Sequence, residues 1–363
     1  MDFLSYFAGD YTQARDKFLD AARGAGASLA RHTNPAAAPD PTTALTTDVA
    51  VLGPEQAGRT LLINSGTHGV EGFFGSAVQI AFLRRRALRP LPPDLRIVLV
   101  HAINPFGFAW VRRVNESNID LNRNFIDHDQ AAPENAGYRD LHSAILPRTW
   151  DAASKTAFRE AYQAYERANG VYAVQAAVSG GQYGDPDGVF YGGQEASWSN
   201  RLIRDIVGAE AERTQAMTFL DLHTGLGSWG HIEIIHSHPP ESPGETWLQD
   251  TFGVHSLGSL ARGDSASAAS SAGLIERGVG QALGGLPLIS CTLEAGTRPV
   301  DQVLEAVRAD NWLHLHGDLH SQLGQEIKTE LKTCFCPPEA DWREVVTLRA
   351  RQILDSALDS FWA

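Results

Sequence analysis

Residues 59–86 read RTLLINSGTHGVEGFFGSAVQIAFLRRR, and residues 94–105 read DLRIVLVHAINP. The first stretch opens with a short apolar run that predicts a buried strand. A glycine-flanked turn then leads into a long apolar helix that ends in three arginines. The second stretch is another apolar run, which stops at Asn104-Pro105. A strand, a helix and a strand in this order predict a βαβ unit, and therefore a largely parallel sheet with right-handed crossovers.

Further strands and helices are predicted on both sides of this unit. Alternating or continuous apolar residues predict strands at residues 47–53, 214–225, 231–238 and 286–297. Apolar residues at helical spacing predict an N-terminal helix over 10–32, a helical segment over 133–170 and a C-terminal helix over 340–362. The fold class is therefore expected to be α/β, with a mixed, mostly parallel twisted sheet and helices on both faces.

The domain organisation is expected to be simple. No repeat, linker or change in composition divides the 363 residues, so a single domain over 1–363 is predicted, with its core at about 45–300. Residues 180–200 read GGQYGDPDGVFYGGQEASWSN. So many turn-forming residues predict a long surface loop, and loops of this length in compact domains are usually functional.

Charge and cysteine content limit the partners and the compartment. Lys and Arg number 30 and Asp and Glu number 43, which gives a net charge of −13. This acidity argues against a nucleic acid or an anionic membrane as a partner, because either would be bound against net repulsion. Three cysteines are too few for a disulfide framework, and acidic residues stand where a signal peptide would have its basic start. The sequence favours a cytoplasmic protein and leaves the oligomeric state open.

Polar residues stand at the carboxyl ends of several predicted strands. They are His68, Glu71, Asn104, His223 and Glu294. In open α/β sheets the ligand crevice lies at the carboxyl ends of the strands, so residues far apart in sequence can meet there. We expect these side chains to converge.

Three of these residues suggest a metal site. His68 and Glu71 lie three residues apart in a turn, where both side chains share a face. A His-x-x-Glu pair alone is common by chance, but His223 offers a third ligand. Two histidines and one carboxylate leave a zinc ion with an open fourth position for water. One zinc ion per chain is the predicted cofactor.

An irregular segment after Asn104 is rich in arginine and asparagine. It contains Arg112, Arg113, and the pair Asn122 and Arg123. Guanidinium groups present paired donors that match a carboxylate, so this segment suggests a clamp for an acidic group of the substrate. Taken singly, these arginines fit solvated surface positions as well. Their density just past a strand end favours a substrate site.

Glu294 has the surroundings of a general base. It follows the apolar run LISCTL, and the next basic residue is Arg298. Desolvation should raise its proton affinity, as a general base near neutral pH requires. The alternative is a carboxylate that the following backbone amides satisfy.

Together these motifs resemble those of the M14 zinc carboxypeptidase family, and most closely its bacterial DUF2817 branch, which is related to the aspartoacylase and succinylglutamate desuccinylase deacylases. The resemblance covers about residues 45–300. The motifs, in the order of that family, are His68-Gly-Val-Glu71, Asn104-Pro-x-Gly, Asp120-Leu-Asn-Arg-Asn-Phe, Asp-Leu-His223-Thr and Thr-Leu-Glu294. Any one of them is weak evidence, but their shared order is specific.

The resemblance implies a zinc carboxypeptidase-like fold and a set of metal ligands. His68, Glu71 and His223 look like the zinc ligands. Asp120 looks like the carboxylate that orients His68, a partner that metal-bound imidazoles usually have.

The resemblance also implies roles in substrate binding and catalysis. Asn122 and Arg123 look like the pair that holds the terminal carboxylate of the substrate. Glu294 looks like the base that takes a proton from zinc-bound water and gives it to the leaving amine. The arginine that stabilises the oxyanion is Arg113 or Arg112, with Arg113 favoured and Arg112 retained as a substrate-binding residue.

One departure from the family concerns tyrosine. Well-known peptidases of the family carry a mobile tyrosine shortly before the catalytic glutamate, whereas this chain has no tyrosine after Tyr191. Either Tyr183 or Tyr191 of the glycine-rich loop replaces it, or the enzyme works without it, as the aspartoacylase and desuccinylase branch would allow.

The expected function is that of a zinc-dependent metallocarboxypeptidase, which hydrolyses the amide bond next to a free C-terminal carboxylate. The expected substrate is therefore a small peptide or an N-acyl amino acid. An N-acyl amino acid deacylase with the same zinc and clamp is the alternative. A third hypothesis is a binding protein that keeps the fold but has no catalytic activity. The sequence does not indicate the preferred side chain.

Overall fold

The structure, a computed structural model, describes residues 3–86, 90–265 and 272–362. Within these segments one sheet contains the strands β1 (Ser28–Thr33), β2 (Thr46–Leu52), β3 (Arg59–Ser65), β4 (Leu95–His101), β5 (Ala216–Thr224), β6 (Ile232–His236), β7 (Leu257–Ser259) and β8 (Leu288–Ala295). Their order across the sheet is β1-β2-β4-β3-β5-β8-β6-β7.

The helices of the described segments surround this sheet. They are α1 (Tyr11–Gly24), α2 (Gly72–Arg86), α3 (Pro105–Ala109), α4 (Ala136–Ile145), α5 (Ala152–Asn169), α6 (Val171–Ser179), α7 (Trp198–Ala211), α8 (Pro243–Phe252), α9 (Ile275–Ala282), α10 (Val300–His316), α11 (Gln322–Phe335) and α12 (Ala340–Asp359). None of these helices is both long and apolar enough to cross a membrane.

The predicted βαβ unit forms the middle of the sheet. Strands β3 and β4, which flank α2 in the chain, are adjacent and parallel. On the other side β3 pairs in parallel with β5, and β5 pairs in parallel with β8. The flanking strands β2 and β6 pair antiparallel with β4 and β8. The prediction of a mixed, mostly parallel sheet in a single α/β domain is confirmed.

Helices cover both faces of the sheet, as predicted. On one face, Phe18 of α1, Phe74 of α2 and Trp342 of α12 lie in one buried apolar cluster. On the other face, Ile203 of α7 and Val279 of α9 pack in a second cluster. A third cluster joins α4, α5 and α6 to α10 and α11. This third layer places helices beside the carboxyl ends of the parallel strands, where it includes Val70 and Phe190.

The N-terminal helix is shorter than predicted. Helix α1 spans Tyr11–Gly24, and Ser28–Thr33 forms the edge strand β1, which pairs antiparallel with β2. Between them Gly26 has a φ of 74°, a left-handed conformation that ends the helix and that glycine adopts without strain. The prediction of one helix over 10–32 is wrong, because it did not recognise Gly26 as a helix-ending residue. The C-terminal prediction over 340–362 corresponds to α12.

The glycine-rich segment is not a surface loop. Its first part closes on itself, because the amide of Gln182 donates to the carbonyl of Phe190 and the amide of Gly192 donates to the carbonyl of Gln182. Tyr183 and Phe190 are buried, and the end of the segment forms the first turn of α7. Burial of the aromatic side chains of Tyr183, Phe190 and Tyr191 favours packing of this segment against the rest of the protein. The prediction of a surface loop was wrong in this respect.

Candidate metal centre and active site

A tight turn after β3 presents His68 and Glu71 side by side. His68 immediately precedes a 3-10 helix over Gly69–Glu71. The amide of Gly69 donates to the carbonyl of Arg113 at 3.1 Å, and the amide of Val70 donates to the carbonyl of Arg112 at 2.8 Å. A Cβ atom on Gly69 would lie 2.0 Å from the carbonyl carbon of Gly107, so only glycine allows this approach. The arginine-rich segment thus shapes the turn.

Parallel pairing brings the other two strand-end residues to the same place. His223 near the end of β5 is directly opposite Glu294 near the end of β8. Ser65, the last residue of β3, is in register with Leu222. The carboxyl ends of β3, β5 and β8 therefore meet at one edge, as predicted for an open α/β sheet.

His68, Glu71 and His223 form a compact donor set. Nδ1 of His68 lies 2.8 Å from Oε1 of Glu71, and Nδ1 of His223 lies 2.9 Å from Oε2 of the same carboxylate. One ligand atom from each residue falls within 4.8 Å of the others, and all three residues are buried. This geometry can hold one metal ion.

The outer nitrogens of both histidines face carboxylates. Nε2 of His68 lies 3.1 Å from Oδ1 of Asp120 and 2.8 Å from Nη2 of Arg113, and Nε2 of His223 lies 2.6 Å from Oδ2 of Asp221. If Nε2–H of His223 donates to Asp221, its Nδ1 keeps a lone pair for a metal, which is the usual arrangement around metal-bound histidine. The same holds for His68 when its Nε2–H donates to Asp120 rather than accepting from Nη2 of Arg113. Nitrogen and carboxylate ligands in this number suit zinc with an open position.

Asp120 stands where the sequence predicted it, whereas Asp221 was not predicted. The signal was present in Asp221-Leu-His223 on a strand, because residues two apart in a strand point to the same face. A carboxylate there is placed to contact the histidine.

Strong electrostatic coupling marks this donor set. Burial alone would raise the pKa of Glu71, but the positive charges of His68 and His223 hold that pKa well below its ordinary value. Burial alone would lower the pKa of His223, but Asp221 and Glu71 raise it well above 6.5. These three side chains together therefore favour a positive charge between them, and a metal ion that bound here would compete with the proton of His223.

Arg113 lies at this centre and Arg112 does not. Nε of Arg113 donates to Oδ2 of Asp120 at 2.9 Å, and Nη1 donates to Oε1 of Glu71 at 3.4 Å. By contrast, Nε of Arg112 donates to Oδ2 of Asp310 at 2.9 Å. The structure thereby corrects the substrate-binding role predicted for Arg112, whose side chain is held in a buried ion pair outside the cleft.

Asn122 and Arg123 line the same cleft as the donor set. Nε and Nη2 of Arg123 donate to the carbonyl of Ser179 at 3.1 and 2.6 Å, and Nη1 donates to the carbonyl of Asn122 at 2.9 Å. A guanidinium has five N–H donors, so one remains on each terminal nitrogen for a ligand. The amide oxygen of Asn122 accepts from the amide of Ile275 at 2.8 Å, which leaves its amide nitrogen as a donor.

Glu294 has the raised proton affinity predicted from its surroundings. Burial and then the negative charge of Glu71 raise its pKa from 4.5 to about 8. The amide of Leu226 donates to its Oε1 at 2.9 Å and stabilises the ionised form. The predicted alternative, in which the following amides satisfy the carboxylate, is replaced by this contact from the neighbouring strand end.

The cleft around these groups has a volume of about 150 Å³ open to water. Among the described residues, Tyr162 of α5 is the tyrosine that lines it. The hydroxyl of Tyr183 donates instead to the carbonyl of Arg123 at 2.7 Å, and Tyr191 is buried outside the lining. Neither tyrosine of the glycine-rich segment faces the cleft. Tyr162 was not predicted, because its helix α5 is separated along the chain from the motifs that indicated the site.

Several solved structures are similar to this chain at low sequence identity. Bovine thrombin-activatable fibrinolysis inhibitor in complex with tick carboxypeptidase inhibitor matches with a TM-score of 0.50 at 12% identity, over 97% of this chain and 98% of that one. Carboxypeptidase A from Helicoverpa armigera gives 0.46 at 13% identity, over 95% and 74%. Succinylglutamate desuccinylase from Chromobacterium violaceum gives 0.38 at 14% identity, over 89% and 74%.

The family assignment follows from the sequence. No curated protein matches the chain significantly. Residues 7–349 match the family described as "Protein of unknown function (DUF2817)", which agrees with the resemblance in the motifs. The chain is thus a member of the DUF2817 family, with a fold like that of bovine thrombin-activatable fibrinolysis inhibitor.

Proposed function

We propose that this protein is a zinc-dependent metallocarboxypeptidase that hydrolyses the amide bond next to a free carboxylate. One observation carries the proposal. The donor set of His68, Glu71 and His223 lines the same cleft as Glu294, Asn122 and Arg123. A metal, a base and a carboxylate clamp in one cleft are the parts that this hydrolysis needs.

The proposed chemistry places the proton on Glu294. A bound zinc ion would supply Lewis-acid activation of a water molecule and of the scissile carbonyl. Glu294 takes the proton of the attacking water and delivers it to the leaving nitrogen, so that water and amide become carboxylate and amine. A pKa that burial raises to about 8 suits a group that accepts and returns a proton near neutral pH.

Arg113 is assigned to the developing negative charge on the carbonyl oxygen. Its guanidinium is oriented by Asp120 and lies 5.2 Å from the ring centre of Phe190, so few conformations are open to it. A preorganised donor of this kind is worth about 3–4 kcal/mol to a transition state.

A glutamine at position 294 tests the proposal directly. Glu294→Gln keeps the shape of the side chain but removes the base, so turnover of a C-terminally free peptide should fall about 1000-fold. The zinc content should stay at one ion per chain, because residue 294 is not a proposed ligand. Glu344→Gln makes the same chemical change at an exposed residue of α12 that does not line the cleft, and it serves as the control. Parent-rate hydrolysis by Glu294→Gln would refute the base assignment.

An N-acyl amino acid deacylase is the second candidate. It is favoured by the absence of any tyrosine after Tyr191, since the mobile tyrosine of the well-known peptidases has no counterpart at its usual place. Rates for peptides with free and with blocked C-termini, measured beside small N-acyl amino acids, separate the two activities. Failure to bind zinc together with failure to hydrolyse any of these compounds would favour a binding protein instead.

A further inference from the structure

One part of the cleft lining combines apolar side chains with His236 and one carboxylate. Phe219 of β5, Ile235 of β6 and Leu260 belong to this part of the lining together with Ile275, the first residue of α9. Glu276, the next residue, places its carboxylate in the same lining. An acid among apolar groups must find partners, because desolvation of a charge is costly.

The partners of Glu276 are neutral. The hydroxyl of Ser237 donates to its Oε1, and the hydroxyl of Ser290 donates to its Oε2 at 3.1 Å. Among the described residues no Lys, Arg or His forms an ion pair with it, and residues 266–271, which read ASAASS, contain no charged side chain. Arg262, which lies two residues after the lining residue Leu260, forms ion pairs with Glu245 and Asp264 instead.

This carboxylate is short of positive charge. Burial raises the pKa of Glu276, and the negative charge of Asp221 raises it further. Two hydroxyl donors orient the carboxylate without neutralising it. A cationic group that reached Glu276 would gain a charge-assisted hydrogen bond in a weakly solvated site.

The position of Glu276 relative to the clamp decides which part of a substrate it meets. The amide of Ile275 donates to the side chain of Asn122 at 2.8 Å, so the chain that carries Glu276 is tied directly to the clamp. A substrate whose terminal carboxylate is held by Asn122 and Arg123 therefore has its last side chain close to Glu276.

We propose that Glu276 selects a substrate whose last residue carries a cationic side chain, that is, a C-terminal lysine or arginine. This inference rests on the proposed function, because it places the last residue by means of the carboxylate clamp. Ser237 and Ser290 then hold the carboxylate of Glu276 in place. The apolar side chains contact the methylene groups of the cationic side chain of the substrate.

Peptides that differ only in the last residue test this preference. Zinc-loaded protein is assayed with peptides that end in Lys, Arg, Gln, Leu or Glu. We expect kcat/KM for Lys and Arg to exceed that for Leu by about 100-fold, and Glu276→Gln to abolish the difference. Glu344→Gln, an exposed change of the same chemistry, should keep the preference. A preference for Gln or Leu, or a lysine preference that survives Glu276→Gln, would overturn the inference.

A binding measurement keeps this result separate from the proposed hydrolysis. Free lysine, leucine and glutamate are titrated calorimetrically into the wild-type protein and into Glu276→Gln. Lysine binding that is lost in Glu276→Gln supports the cation site even if no peptide is cleaved. Cleavage of all peptides at equal rates keeps the hydrolase and refutes the cation site. If the protein neither binds lysine nor cleaves any peptide, both the cation site and the proposed hydrolase are refuted.

Discussion

Nε2 of His223 lies 2.6 Å from Oδ2 of Asp221, within one strand. Asp221 is itself fixed, because Asn64 donates to its Oδ1 at 2.8 Å and Thr67 donates to both carboxylate oxygens. This buried arrangement holds the His223 ring with Nδ1 toward Glu71, where a metal ligand is needed. Asp221 is thus a positioning residue for the proposed metal centre.

Replacing this carboxylate should weaken metal binding. In Asp221→Asn the amide can donate to Nε2, which allows the proton of His223 to move to Nδ1 and to compete with the metal. We expect zinc affinity to fall about 10- to 100-fold. Competition with a chromogenic chelator measures this affinity, and Asp341→Asn, at an exposed position of α12, is the control. Unchanged zinc affinity in Asp221→Asn would show that the contact does not position the ligand.

The same substitution at the two neighbouring arginines should lower activity in one case and mainly stability in the other. Arg113→Met removes the proposed oxyanion donor and should lower kcat about 100-fold with little change in KM. Arg112→Met instead leaves Asp310 buried with one cationic partner fewer, so the free energy of unfolding should fall by about 3 kcal/mol while kcat stays near that of the parent. Steady-state kinetics and urea denaturation of both variants check this contrast. A loss of kcat in Arg112→Met alone would reverse the assignment.

The convergence of the proposed metal donors and the proposed base could be predicted because these residues follow strand ends. Parallel strands align their carboxyl ends, so His68, His223 and Glu294 had to approach one another once the βαβ pattern was recognised. Periodicity and strand order were enough for this part of the site.

The remaining site residues depend on contacts that the sequence pattern does not contain. Which of Arg112 and Arg113 enters the cleft is decided by Asp310, which lies on α10 and binds the other side chain. Tyr162 and Glu276 reach the cleft from helices that are packed by tertiary contacts. The segment before Glu276 has no regular periodicity, so neither its position nor its role was predictable.

The stability of the metal-free protein should depend on pH through Glu294. Its pKa is about 8 in the folded protein and near 4.5 when exposed, so between these values the folded state binds a proton that the unfolded state has released. Rising pH therefore favours unfolding across this window, with a slope approaching about 1.4 kcal/mol per pH unit for one proton. Glu294→Gln cannot titrate and should lose this component. Denaturation curves between pH 5 and pH 8, with chelator present, compare the two proteins; parallel pH dependences would contradict the raised pKa.

The clamp should distinguish free from blocked substrates. Arg123 keeps one N–H on each terminal nitrogen, which matches the two oxygens of a carboxylate, and a lysine cannot reproduce this geometry. We expect Arg123→Lys to raise KM for C-terminally free peptides about 10- to 100-fold with a smaller change in kcat. An amidated peptide, which the parent protein should cleave poorly, should lose nothing further. If Arg123→Lys weakened both substrates by the same factor, Arg123 would serve the fold through Ser179 rather than the substrate.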